Sequence, residues 1–315
     1  MVSNHSFQNT DKINITKVND KEDEKTYKTA ALKAIGIFLI VILLFDLLEC
    51  YASARLVNQE AAAYVIYHVF LFSPLIGCVV ARLVTREGFR DGILWPRFSG
   101  NAKAYVLAII LPLLAGLLGV ATCAIALHAG LTLKLEGGLR MACLSLLLLF
   151  AQVYYVAMIT AGEELGWRAL LYDKLEILFG TNSSVIIGGI IWGLWHFPAL
   201  YYDGLNFGKD YPGFPFVGIL LMCVSTIFMG AALQLVRKMS GSVIPACIFH
   251  GVVDSVYSGL LSLFLDAELV QGHQFIIGIC GLLVPSVIIG IPCWILLTRS
   301  PKIARIGKVA SKSKA

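Results

Sequence analysis

Apolar residues run along this chain in long unbroken blocks, not in the alternation of a half-buried strand or the narrow stripe of a surface helix. Blocks of about 18 or more mostly apolar residues fall at roughly 30–48, 61–81, 104–128, 141–160, 184–200, 214–236, 243–264 and 274–297. Each is long enough to cross the hydrocarbon core as a helix, the open-chain structure that satisfies its own backbone hydrogen bonds where water is absent. The pattern predicts an all-α, polytopic transmembrane bundle of about eight spans over residues 29–298. No internal repeat, linker or second domain interrupts it.

Composition strengthens this reading. Of the 315 residues, 58% are hydrophobic and 14% charged, with a mean hydropathy of +0.79, where soluble domains carry about 25% charged residues. Disordered, collagen-like and disulfide-scaffold classes are excluded together. The eight cysteines occur singly, with no CxxC pair, and read as small buried hydrophobes. The net charge of +5 does not point to nucleic acid, because the basic residues gather in loops and tails between apolar blocks. Residues 1–28 are polar and lie too far ahead of the first block to be the n-region of a cleaved signal peptide; a flexible, uncleaved tail is expected.

An even number of spans puts both termini on one side. If that side is the cytoplasm, twenty of the twenty-five lysines and arginines are inside and four outside, with Lys33 in the first span. The positive-inside rule therefore predicts a multi-pass cell-membrane protein with cytoplasmic termini. The basic tail 299–315 could touch anionic membrane lipids, but a solvated stop-transfer tail is the simpler reading.

Ionisable residues inside spans are costly and therefore mark function. Three clusters qualify. In Gly162-Glu163-Glu164-Leu165-Gly166-Trp167-Arg168, adjacent carboxylates point about 100° apart on a helix; Glu164 reaches Arg168 at the i+4 ion-pair spacing, and Glu163 faces elsewhere. Trp192-Gly-Leu-Trp195-His196-Phe-Pro198 closes the fifth block, where a lone histidine is as easily a core residue as a catalytic one. In His250-Gly-Val-Val-Asp254, imidazole and carboxylate share a helix face and could form an oriented pair, two metal ligands or a neutralising local hydrogen bond. At about 1.5 Å per residue, Glu163, His250 and His196 lie ~15, ~18 and ~21 Å from the nearest inner boundaries, which predicts one layer and a shared cavity.

Glutamate and histidine around a water form a hydrolytic arrangement. Two histidines with carboxylates (Glu163, His196, His250, Asp254) could equally hold a divalent metal such as zinc, and no cofactor is otherwise implied. HExxH, GxSxG and GxGD are all absent, so a hydrolase here is built from Glu and His.

These three motifs, in this order over about residues 140–260, resemble those of the CPBP family of CAAX proteases and bacteriocin-processing or immunity proteins (Abi): EExxxR, an aromatic followed by xxxH, and HxxxN or HxxxD. The resemblance implies that Glu163 is the general base and acts with His196 on a water. It further implies that His250 and residue 254 stabilise the oxyanion, and that Glu164, Arg168 and Trp192 give structural support. Two departures stand out. Trp192 replaces a phenylalanine, and Asp254 stands where many members have Asn; an ionised Asp cannot donate to an oxyanion.

The form of the motifs is closer to bacterial members, which implies a peptide, bacteriocin or membrane-protein substrate cleaved within the membrane. The rival readings are an ion- or proton-coupled transporter, which calls for repeated interrupted helices, and a silent immunity protein that binds a peptide. The Gly189-xxx-Gly193 spacing could mediate a homodimer, although packing against a neighbouring span of the same chain is favoured.

Overall fold

The computed structural model describes residues 20–56, 58–89, 93–131, 156 and 158–299. They form a helical bundle with no strand among the described residues. In chain order the helices are α1 (Asp20–Arg55), α2 (Glu60–Leu71), α3 (Ser73–Val84), α4 (Ala102–Ala126) and α5 (158–166). A π-helical turn (Trp167–Leu171) leads from α5 into α6 (Tyr172–Trp195), followed by α7 (Phe197–Asp203), α8 (Phe216–Ser240), α9 (Ile244–Phe264), α10 (Ala267–Gly272) and α11 (Gln274–Ile277). A second π-helical turn (Gly278–Leu283) leads into α12 (Val284–Arg299).

Six stretches among the described residues are long and apolar enough to cross a membrane, and a seventh if α2 and α3 form one bent span. The predicted second block is that bent pair, turned by 50° beside Phe72, with Pro74 in the first turn of α3. Pro74 has no backbone N–H and stiffens the new start. Most of the predicted fourth block, 141–160, lies outside the described residues, as do the tails 1–19 and 300–315. Helix α1 begins at Asp20, so the expected flexible tail is helical in its last turns; Glu and Lys are good helix formers, and acids suit a helix N-terminus.

The segment Met158–Asp203 is broken at Gly180, whose φ of 78° and ψ of 172° belong to a region only glycine visits freely. This break separates the continuation of the acidic motif from the helix that ends in the second motif.

Helix α8 lies at the centre, packed on α6, α9, α12 and α4. At Gly189 and Gly193 of α6, an added Cβ would stand 2.5 and 2.6 Å from the Cα atoms of Ile227 and Cys223 on α8. The Thr226 hydroxyl donates to the Gly189 carbonyl at 2.8 Å across this seam. The small-residue spacing is thus used within the chain, as favoured above. At one end, Arg237 pairs with Asp173, Lys238 with Glu176 and Lys174 with Glu87, joining α8, α6 and the end of α3. Arg168, counted above among the inner basic residues, is instead 0% exposed and ion-paired inside the bundle. It is a structural charge and carries no topological information.

Gly193→Val should lower the melting temperature in detergent, by the equivalent of about 1–3 kcal/mol of overpacking. Gly36→Ala, with nothing within 4 Å of the new Cβ, should leave the temperature unchanged or raise it. Equal melting of Gly193→Val and wild type would refute the tight α6–α8 seam.

Candidate active site

Helix α5 presents the acid pair with its glycine face on the α2–α3 bend: a Cβ at Gly166 would lie 2.4 Å from Cβ of Pro74. On its other flank, Thr160 donates to the Cys247 carbonyl of α9 at 3.4 Å. The turn Trp167–Leu171 then carries Arg168 inward; π-helical turns of this kind are frequent at functional sites.

Glu164 and Arg168 are both 0% exposed, and the guanidinium donates from Nη1 to Glu164 Oε1 at 2.8 Å, as the i+4 spacing predicts. The same oxygen also lies 2.8 Å from Nδ1 of His250, 86 residues away. The carboxylate oxygen already accepts from Arg168, so Nδ1 is the donor and carries the proton.

Trp192 touches Glu163, His196, Arg168 and His250. Its indole Nε1 donates to Glu163 Oε2 at 3.1 Å, and its carbonyl lies 2.8 Å from Nδ1 of His196. A carbonyl can only accept, so Nδ1 of His196 is also protonated. That carbonyl is available because α6 ends here: the His196 amide turns to the Gly193 carbonyl, and α7 begins with Pro198 at its second position. The Trp192 ring stacks 4.1 Å from Cζ of Arg168 and meets the His250 ring edge-on at 5.3 Å. Phe70 stacks on Trp195 at 4.7 Å, and the Trp195 indole donates to Ser73, fixing the end of α6.

The three predicted clusters therefore meet. Glu163 is 5% exposed, His250 is buried and His196 is half-buried. With Nδ1 committed in both histidines, each Nε2 is the nitrogen left for chemistry.

Asp254 is placed differently from the local hydrogen bond weighed above. Its Oδ2 is 3.7 Å from Nε2 of His250 and its side chain 44% exposed, so the contact is electrostatic and too long for a hydrogen bond. Glu164 orients His250; Asp254 does not. Among the described residues no three His, Cys, Asp or Glu side chains are grouped to hold an ion. The Nδ1 atoms of both histidines serve Glu164 and Trp192, which leaves each Nε2 open.

Two acids escaped the sequence reading. Asp46 and Glu49 lie on α1, at the end of the first apolar block, and Glu49 is 4% exposed with Ser53 donating to it at 3.2 Å. The signal was present, but at a block edge these acids pass for a membrane boundary.

A family model described as type II CAAX prenyl endopeptidase Rce1-like matches residues 144–256. Over this segment, about a third of its length, the chain is similar to the Rce1-like family. A curated relative, CAAX prenyl protease 2 of Methanococcus maripaludis, is 28% identical over 137 residues. That match takes in 39% of this chain and 45% of the relative, so the chain spans under half the length of the relative it matches. The Rce1-like segment contains Glu163, Glu164, Arg168, Trp192, His196, His250 and Asp254, the set that the helices bring together.

Removing one member of a buried ion pair leaves the other charge uncompensated, at a cost of about 3–5 kcal/mol. Glu164→Ala should therefore lower the melting temperature sharply, and Glu164→Ala combined with Arg168→Met should recover most of the loss. A double variant no more stable than the single would show that the charge pair is not what the single change disrupts.

Proposed function

We propose that this chain is an intramembrane endopeptidase in which Glu163 and His196 activate one water and His250 carries the oxyanion. The observation that supports this most directly is Trp192, whose N–H binds the Glu163 carboxylate while its carbonyl binds His196 Nδ1. One residue thereby fixes an acid and an imidazole side by side, with the imidazole's Nε2 available as a proton acceptor.

In this reading Glu163 removes a proton from the water while His196 orients it, and the hydroxide attacks the scissile carbonyl. Charge develops on the carbonyl oxygen. His250 donates to it from Nε2, its Nδ1 being held by Glu164 at 2.8 Å and the Asp254 carboxylate lying 3.7 Å from Nε2. Asp254 thus acts through His250. The proton held by Glu163 then passes to the leaving amine. No step uses a metal.

The name of the curated relative suggests the substrate class: a C-terminal peptide carrying a prenyl group, reached from the membrane. Bacteriocin-type or other membrane peptides are the alternatives. We further propose that both termini are cytoplasmic and that the site is reached from that side.

The test is hydrolysis of a quenched fluorescent farnesylated peptide ending in a CAAX sequence, and of an unprenylated transmembrane peptide, by the full chain in nanodiscs. Cleavage of at least one is expected. Glu163→Gln and His196→Ala should each lose about 10²–10⁴-fold in kcat while keeping the wild-type melting curve. Undiminished cleavage by Glu163→Gln would overturn the mechanism. Failure of the wild type on both peptides would overturn the peptidase reading and favour a silent peptide-binding relative.

A further inference from the structure

Arg168 is held between two aromatic rings. Its Cζ lies 4.1 Å from the centre of Trp192 and 4.9 Å from that of Tyr172, and all three side chains are 0% exposed. Stacking fixes the plane of a guanidinium without occupying its N–H groups, which a lysine could not reproduce. With that plane fixed, Nη1 is aimed at Glu164 Oε1, the oxygen that also receives His250 Nδ1.

The position of the Tyr172 ring is set in turn by α8. An added Cβ at Gly230 would stand 2.4 Å from the Tyr172 hydroxyl oxygen, 3.3 Å from its Cζ and 3.6 Å from Arg168 Nη2. The hydroxyl thus occupies the space that a side chain at 230 would need. Neither Tyr172 nor Gly230 belongs to any of the three motifs, and neither touches Glu163 or His196.

We propose that Tyr172, seated against Gly230, is a positioning residue that clamps Arg168 and so sets the aim of His250 through Glu164. Its catalytic consequence rests on the reading of His250 as the oxyanion-binding group. The clamp itself can be read without activity. The mechanism is steric and electrostatic: tilting the Tyr172 ring rotates the guanidinium, displaces the shared Glu164 oxygen and loosens the acceptor that keeps the proton on Nδ1 of His250.

The experiment uses the full chain in nanodiscs with ¹⁵N-labelled histidine, the His250 signal being assigned by its loss in His250→Gln. Kinetics on the farnesylated peptide run in parallel. Gly230→Ala should shift the ¹⁵N signal of the His250 Nδ1 that donates to Glu164 and lower kcat about 10–100-fold with KM within about twofold, as expected for misplacement of a reacting group. Because the clash is with the hydroxyl, Gly230→Ala with Tyr172→Phe should restore the wild-type histidine spectrum and bring kcat to within about threefold of wild type. Tyr172→Phe alone should resemble wild type, and Tyr172→Leu should resemble Gly230→Ala; if the leucine variant does not fold, the Gly230 pair decides.

A double variant no better than Gly230→Ala, or a His250 signal unmoved by Gly230→Ala, would overturn the proposal. Spectra that respond as expected in a chain without peptidase activity would uphold the clamp and overturn the function instead. Normal activity with no response would do the reverse.

Discussion

The site depends on one carboxylate oxygen. Glu164 Oε1 takes a guanidinium N–H and an imidazole N–H, each at 2.8 Å, where Glu164 and Arg168 have no exposed surface. A lone carboxylate so deep in a helical bundle would lose its hydration without compensation, and so would a lone guanidinium; together they are tolerable only if the geometry is held tightly. That requirement fixes three elements at once: α5 and the π-helical turn through Glu164 and Arg168, and α9 through His250. A histidine bonded to such a pair has little freedom to turn, so an electrostatic necessity also fixes the direction of its ring.

The remaining groups are arranged from the opposite side by Trp192, using the end of α6. A helix end leaves carbonyls without amide partners, and here one such carbonyl receives His196. The indole of the same residue reaches Glu163. The glycines of α6 allow this helix to lie directly on α8, so the end of α6 reaches the acids of α5 without a long side chain bridging the gap. Packing of small residues and placement of the candidate site residues are therefore the same structural fact. A phenylalanine at position 192 would lack the N–H, so the tryptophan gives Glu163 a partner that a phenylalanine could not.

Much of this was legible in the sequence, and the limits are physical. Apolar block length gave the spans, because a helix must cross a fixed thickness of hydrocarbon. The Glu164–Arg168 pair was legible because i+4 contacts are local. The bond from Glu164 to His250 was not, since it joins residues 86 apart and depends on how α5 packs on α9. The same holds for Tyr172 and Gly230, which carry no charge or motif and matter only through shape. Asp46 and Glu49 were visible but uninterpretable, because an acid near a block edge reads the same whether it faces lipid headgroups or the bundle interior. The break at Gly180 was missed because glycine is common in membrane helices, and only its backbone angles distinguish it.

The placement of Asp254 follows from the same carboxylate oxygen. In an i, i+4 His–Asp pair the natural expectation is that the acid orients the base, as local spacing allows. Once Glu164 holds Nδ1, Nε2 is the only nitrogen left to face residue 254, and a hydrogen bond there would consume the atom needed for chemistry. The observed separation of 3.7 Å avoids this while keeping a negative charge close to the imidazole. An asparagine at this position could donate to a group beside Nε2, whereas an ionised aspartate can only accept; the orientation of His250 falls to Glu164, which holds Nδ1 at 2.8 Å.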